Sequence, residues 1–440
     1  MIGVETGRLD NMSELLARHR AVIPNWVSLY YDEPIEIVSG KGCRVTDANG
    51  ASYLDFFAGI LTNTLGYDVA EVREAVERQI ATGVVHTSTL YLIRNQVELA
   101  EKIARLSGIP DAKVFFTSSG TEANETALVA TLTARKANQV LAMRGSYHGR
   151  SFGAIAVTGN KGWKTSGLEP FGTHYLHGTD RHLGPADDAD YIKFCVEDLR
   201  ALLAGVHPDD IGCLIAEPIQ GVGGFTMAPD GLLAAYKEVL DEHGIYLISD
   251  EVQTGWGRTG SNFWGIGAHN ITPDAMTFAK GLGNGFSIGG VVARGDLLDG
   301  MRGIGVSTFG GNPVSTAAAN ATLDYLLSHD LQANAAAAGD IIIPGLRSAA
   351  ESLDVVGDVR GKGLMFAIDM ADPATGNPSP ALAGKMLEAT RERGLLVGKG
   401  GLHGATLRMA PPLTLTEAEA REGLGLLVEA LQAINAGAGA

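Results

Sequence analysis

The amino-acid sequence predicts an α/β protein: a large unit built on a mostly parallel sheet, and a smaller α+β unit built from both chain ends. The large unit is predicted by helical stretches that alternate with short apolar runs between residues 90 and 310, the pattern of strands buried on both faces. The smaller unit is predicted by a mixed pattern at either end, which divides the 440 residues into 1–65, 66–325 and 326–440. Glycine supports the reading, because 58 glycines in 440 residues exceed the usual share of ~7% and imply many tight turns and close backbone approaches.

In chain order, a short helix is expected near Ser13 to Arg20, then extended runs at 35–38, 44–46 and 53–56 separated by turn residues. Asp68 with Glu71 has capping-box spacing, and Val69, Val72, Val76 and Ile80 repeat at helical intervals, so a helix should follow Asp68. Buried strands are expected at 114–116, 140–143, 155–157, 214–216, 246–248, 276–278 and 291–293. Beyond 325, helices are expected near 331–351, 380–393 and 415–434, with strands near 363–368 and 406–409. No fixed-period repeat occurs, and the terminal 435–440, NAGAGA, should fray.

Charge narrows the function classes. With 34 Lys and Arg against 50 Asp and Glu the net charge is −16, which argues against nucleic acid or an anionic membrane as partner. Cys43, Cys195 and Cys213 have neither disulfide nor metal-ligand spacing, so a reducing cytoplasm and no metal site are expected. Neither a secretory leader nor a membrane-spanning run is recognisable.

Three strand ends carry chemistry. Lys280 follows an apolar run and precedes Gly281-Leu282-Gly283-Asn284-Gly285, where a ligand can reach it. Asp250 and Glu251 end the run 245–249, with Gln253 just beyond. Ligands of open α/β sheets bind outside the carboxyl ends of the strands, so Asp250 and Lys280 can share one crevice. Ser118-Ser119-Gly120-Thr121-Glu122 opens a helix, and free N–H groups of Gly120 and Thr121 there suit a phosphate.

The segments SSGTEANE, SYHGRSFG, EPIQGVGG, SDEVQTGWGRTG, FAKGLGNGF and TFGGNP, in this order from Ser118 to Pro313, resemble those of class III aminotransferases. That resemblance implies the fold type I of pyridoxal 5′-phosphate (PLP) enzymes, with a seven-stranded sheet. It implies that Lys280 forms a Schiff base with PLP and, once released, moves a proton between substrate and cofactor. Asp250 would pair with the pyridine nitrogen and keep it protonated, Gly120 and Thr121 would cradle the phosphate, Tyr147 would stack on the ring, Val252 would pack on its other face, and Gln253 would bond the phenolic oxygen. Thr308 resembles a phosphate ligand supplied by a neighbouring subunit, so a homodimer or higher homo-oligomer with shared sites is implied. For Tyr147 and Val252 ordinary core packing stays open, as does a plain loop hydroxyl for Thr308. His148 reads as a structural neighbour rather than a base.

By the same resemblance Arg408 binds the substrate carboxylate, its fork geometry suiting that group, and Glu217 neutralises the arginine when an ω-amine enters. A surface strand arginine and a plain loop carboxylate are the alternatives. The segment 395–401 leading to Arg408, with Tyr30, Tyr31 and Pro34, looks most like the alanine:glyoxylate and 3-aminoisobutyrate:pyruvate branch. The implied activity is ping-pong transfer of an amino group from alanine or an ω-amino acid (β-alanine, 3-aminoisobutyrate, 4-aminobutyrate) to pyruvate or glyoxylate, or 2-oxoglutarate. The chain departs from the family at Gly66-Tyr67-Asp68, where glycine-histidine is usual, and at Leu402-His403-Gly404. Ile60 and Leu61 are pocket walls by position, with core packing equally open.

Rival motifs fare worse. Gly149-Arg150-Ser151-Phe152-Gly153 has the G-x-S-x-G spacing of a hydrolase elbow with Ser151 as nucleophile, but that needs a strand before it and a helix after it, and 154–157 is at least as strand-like as helical. The dinucleotide fingerprint, the P-loop and HExxH are absent, and no basic helix-turn-helix segment precedes Gly40. Decarboxylases, racemases or epimerases, aminomutases and phospho-lyases of the same fold share Lys280 and Asp250, and differ in the bond broken.

Overall fold

A computed structural model describes residues 8–165, 167, 169–303 and 305–438. The chain starts with helix Arg8–Val22 and then forms β1 (Ile37–Lys41), β2 (Arg44–Asp47) and β3 (Ser52–Asp55), an antiparallel ribbon. Helices Ala70–Ala81 and Arg94–Ser107 follow. The expected cap does not form: Val69 is the N-cap residue, and Asp68, at φ 53°, pairs with Arg73 instead. Spacing alone suggested the box; in the structure the helix starts one residue later, and no side chain caps it.

The central sheet contains β4 (Ala112–Thr117), β5 (Gln139–Met143), β6 (Gly172–Leu176), β7 (Ile211–Ala216), then, past a small hairpin of β8 (Ile219–Gln220) and β9 (Thr226–Met227), β10 (Tyr246–Asp250), β11 (Ala275–Phe278) and β12 (Gly289–Arg294). Its order is β4-β12-β11-β10-β7-β5-β6, seven strands of which β12 alone runs antiparallel to its neighbours. All six residues of β7 are buried, as a strand covered on both faces requires. Alternate residues feed two cores: Leu141 and Met143 join one, while Val140 and Ala142 join the other. The second core includes Ala123, Ala127 and Ala130 of helix Gly120–Arg135, whose small side chains bring the helix close to the sheet.

The expected strand at 155–157 is instead part of helix Phe152–Ala156, with Ile155 N–H donating to Ser151 O at 2.8 Å. Residues 153–157 are buried all round, so the run carries neither periodicity. The seventh strand is β6, GTHYL, which pairs only with β5 and so keeps polar residues on an open edge. Ser151 does precede a helix, but β5 ends at Met143, so the strand that a nucleophile elbow needs is missing.

Helices Pro313–Ser328 and Leu331–Ala350 lead to β13 (Val356–Lys362) and β14 (Met365–Met370). β13, VGDVRGK, is too polar to stand out by composition, and Gly363, at φ 55°, makes the turn where the sequence suggested a strand start. After helix Pro380–Glu392 come β15 (Leu395–Leu396), β16 (Gly398–Gly400) and β17 (Thr406–Met409). β13, β14, β17 and β16 form one sheet, while β15 pairs with β3, so the two ends of the chain share a sheet. Residues 435–438, expected to fray, close helix Glu417–Ala438; 439–440 lie outside the described residues. Among the described residues no helix is long and apolar enough to cross a membrane, and no group of three metal-binding side chains gathers.

Candidate active site

The carboxyl ends of β4, β5, β7, β10 and β11 point to one edge of the sheet, because these strands run the same way. The loops leaving that edge enclose a cavity of about 170 Å³ lined by Gly120, Thr121, Tyr147, Glu217, Asp250, Val252, Gln253 and Lys280, with Asn124 and His148 behind them. Eight of the sequence-predicted residues therefore meet although they span 160 positions, from 120 to 280.

Asp250 ends β10 and is buried. Its Oδ2 accepts from Asn124 Nδ2 at 2.8 Å and lies 2.8 Å from His148 Nδ1; its Oδ1 accepts from Val252 N–H at 3.1 Å. Asn124 also donates to His148 O at 2.7 Å and accepts from Thr277 Oγ1 at 2.6 Å. Hydrogen bonds to a charged group contribute roughly 1.5–3 kcal/mol each, so this bracing holds the carboxylate in one orientation. Asn124 went unnoticed in the sequence; its signal is its place one helical turn after Gly120, on the inward face of that helix. His148 acts as a brace, and its Nε2 has no partner among the described residues. The adjacent Glu251 serves the loop rather than the cavity: four donors hold its carboxylate, from Ser249, Thr254, Gly265 and Ile266.

Lys280 begins a tight turn directly after β11, at φ 42°, a left-handed conformation that costs roughly 1–2 kcal/mol for a residue with a Cβ. No hydrogen-bond or ion-pair partner reaches its Nζ among the described residues. Burial pulls the amine down to about 8, against the opposing charges of Asp250 and Glu217. Glu217 is pushed up to about 7, chiefly by burial, although its Oε1 accepts from Tyr147 N–H at 2.9 Å and its Oε2 from Gly221 N–H at 2.8 Å.

Helix Gly120–Arg135 opens onto the cavity. Ser119 caps it by accepting from Glu122 N–H at 3.2 Å, while Glu122 Oε2 accepts from Ser118 N–H at 2.7 Å. Gly120 and Thr121 line the cavity as the first two residues of the helix, where N–H groups have no acceptor within the helix. A Cβ on Gly120 would come within 3.1 Å of Val252, closing the cradle. Gln253 lines the same cavity, its Oε1 without a partner among the described residues, and Tyr147, edge-on against Trp163 at 5.3 Å, walls it. Free amides at a helix N-terminus, an orphaned amide oxygen, a braced carboxylate and an unpaired amine fit the phosphate, ring substituent, ring nitrogen and aldehyde of PLP.

Two predicted residues stand outside this lining. Arg408, in β17, is buried, donating from Nη1 to Gly221 O at 3.0 Å and from Nη2 to Lys399 O at 3.2 Å; its Nε has no partner among the described residues. Its guanidinium carbon lies 5.4 Å from the Phe57 ring centre and 5.7 Å from that of Phe225. Arg408 and Glu217 form no ion pair; the two side chains meet through Gly221, whose N–H faces the carboxylate and whose C=O faces the guanidinium. Thr308 is exposed in the loop before helix Pro313–Ser328 and does not line the cavity of its own chain.

Residues 29–431 match the family model described as "Aminotransferase class-III". The chain belongs to the class III aminotransferases. These are enzymes that work with PLP, the cofactor of this protein too. The alanine–glyoxylate aminotransferase 2 homolog 2, mitochondrial, of Arabidopsis thaliana is 37% identical over 95% of this chain and 86% of its own length. The acetylornithine aminotransferase of Mycolicibacterium smegmatis is 39% identical over 92% and 95%. Among solved structures, a phospholyase from Arthrobacter in complex with phosphoethanolamine is 35% identical, with a TM-score of 0.86, covering 95% of this chain and 99% of that one. The fold is therefore that of PLP enzymes of fold type I.

Proposed function

We propose that this class III aminotransferase moves an amino group from alanine or an ω-amino acid to pyruvate, glyoxylate or 2-oxoglutarate by a ping-pong mechanism, with Lys280 and Asp250 as its catalytic residues. The observation that carries this is the unpaired Lys280 amine, drawn down to about 8, sharing a cavity with an Asp250 carboxylate braced by Asn124 and His148. Near physiological pH roughly a tenth to a fifth of such an amine is neutral, far more than of an ordinary lysine, so it can attack a carbonyl and, once released, take up and return a proton at the substrate carbon. Bound PLP supplies an electron sink for the charge left on that carbon. With PLP bound, Asp250 would hold a proton on the ring nitrogen, Gly120 and Thr121 would hold the phosphate, and Tyr147, Val252 and Gln253 would hold the ring and its phenolic oxygen.

Arg408 is the carboxylate anchor in this reading. Its buried guanidinium bonds two carbonyls and keeps Nε without a partner among the described residues, which leaves donor capacity for a carboxylate. Glu217, up to about 7 and bonded by two backbone amides, tunes which substrates that arginine accepts. Likeness to the Arabidopsis relative favours alanine and glyoxylate; likeness to the mycobacterial one keeps an ω-amine donor in view. The working unit is a homodimer, with Thr308 reaching the partner's phosphate site, and the three buried, unbridged cysteines suit a cytoplasmic setting.

One spectroscopic experiment tests this. The visible band of the PLP-loaded protein should be bleached by alanine or one of the ω-amino acids and restored by pyruvate, and Lys280→Ala should abolish both. A band that no donor bleaches rejects the transaminase reading. The likeness to the Arthrobacter phospholyase favours phospho-lyase chemistry as the second reading. Release of inorganic phosphate from phosphoethanolamine, with no transfer of its amino group to pyruvate, would establish that alternative.

A further inference from the structure

We infer that Tyr67 is a positioning residue: through its bond to Asp55 it closes the segment 55–67, which sets the distance between the Lys280 amine and the Arg408 guanidinium. The inference rests on the reading of Arg408 as carboxylate anchor.

The segment is bonded to both functional elements. Toward Arg408, Ala410 N–H donates to Phe56 O at 2.6 Å, Leu413 N–H donates to Thr64 O at 2.7 Å, and the Phe57 ring lies against the guanidinium. Toward Lys280, Leu65 N–H donates to Asn284 Oδ1 at 2.8 Å and Asn284 Nδ2 donates to Gly66 O at 3.1 Å. Gly281, the residue after Lys280, lacks the Cβ that would overlap Thr64 Oγ1. Movement within the segment therefore changes how the amine and the guanidinium face each other.

Within it, Ala58, Gly59, Ile60 and Leu61 all adopt positive φ, at 49°, 62°, 64° and 62°. Side chains resist that conformation, so something must hold the run in place. Asp55 holds its start, with Oδ1 accepting from Phe57 N–H at 2.8 Å and Ala58 N–H at 2.9 Å. Tyr67 ties its end to its beginning, donating to Asp55 Oδ2 at 2.6 Å and accepting from Asn63 Nδ2 at 3.2 Å. Burial and then the Asp55 charge hold this phenol well above its ordinary range, so it stays a donor throughout the working pH range. The ring fits because residue 40 is glycine; a Cβ there would lie 2.6 Å from Tyr67 Cγ.

The test uses PLP-loaded full-length enzyme with whichever donor bleaches the band, pyruvate as acceptor, and Tyr67→Phe, Arg408→Lys and the double variant. Tyr67→Phe should raise the KM for pyruvate about tenfold, leaving kcat within about twofold and the absorption band unchanged, the signature of a weakened carboxylate anchor with the chemical step intact. Added to Arg408→Lys it should do little more, because both act on one anchor. Tyr67→His, which retains a donor for Asp55, should return KM to within about threefold of the parent. An Arg408→Lys enzyme with unchanged KM overturns the anchor reading and this inference with it. If Arg408→Lys raises KM but Tyr67→Phe does not, the clamp alone falls. Loss of the band and of kcat together in Tyr67→Phe, or failure of Tyr67→His to recover KM, reduces Tyr67 to a fold-stabilising residue and overturns the proposal.

Discussion

At the scale of single residues, burial and local donors set the protonation of the site. Lys280 is drawn down to about 8, so its neutral form appears about two pH units earlier than in an ordinary lysine. Capture of PLP by apoprotein should therefore accelerate with pH through about 8 and level off above it; a rate still climbing at pH 10 would contradict that ionisation. Glu217 shows the opposite sign for stability. Its carboxyl is pushed up to about 7, so the folded protein keeps a proton that the unfolded chain has released. Stability should thus decline as pH rises from the ordinary carboxylate range to about 7, and urea melts of Glu217→Gln should show a flatter dependence there. Asn124→Ala removes one of two donors to Asp250 Oδ2, with an expected cost of ~1–3 kcal/mol in PLP affinity, readable by equilibrium dialysis. None of this bracing was legible in the sequence, because Asn124, His148 and Asp250 are separated by 24 and by 102 residues.

Among elements, legibility followed periodicity. β7, wholly apolar, and helix Leu331–Ala350 stood out from the sequence. The edge strand β6 did not, since one open side admits Thr173 and His174, and the run 155–157 passed for a strand because burial of 153–157 on every side erases the period. The left-handed run at Ala58–Leu61 has no sequence signature beyond Gly59. Its contact with the turn after Lys280 is tight. Gly281→Ala would drive a methyl into Thr64 and should destabilise the protein by ~1–3 kcal/mol, measured by urea unfolding; an unchanged midpoint would mean that the two turns pack loosely.

For the whole molecule, the surface near Thr308 bears on assembly. Leu90, Tyr91 and Leu92 are 72%, 70% and 97% exposed, and His86 of that loop stacks at 4.9 Å on Phe309, the neighbour of Thr308. Large apolar side chains grouped in the open mark an interaction surface, here on the loop whose His86 meets Phe309. The protein should therefore run at twice the 46.0 kDa of one chain in light scattering, and Leu92→Asp should yield monomers with activity reduced about 100-fold. Active monomers would remove the need for a shared site.

The sequence by itself determined the family, the alternating core of the central sheet and the chemistry-bearing residues at its strand ends. These are local properties: short motifs, glycines where backbone and ligand approach, and apolar runs with a readable period. The tertiary structure alone decided that eight of those residues enclose one cavity, that Arg408 reaches Glu217 only through Gly221, and that Asp55 and Tyr67 close a strained turn between Lys280 and Arg408. Such facts rest on bonds between residues far apart in the chain. A linear pattern carries the identity of each partner but not the distance between them.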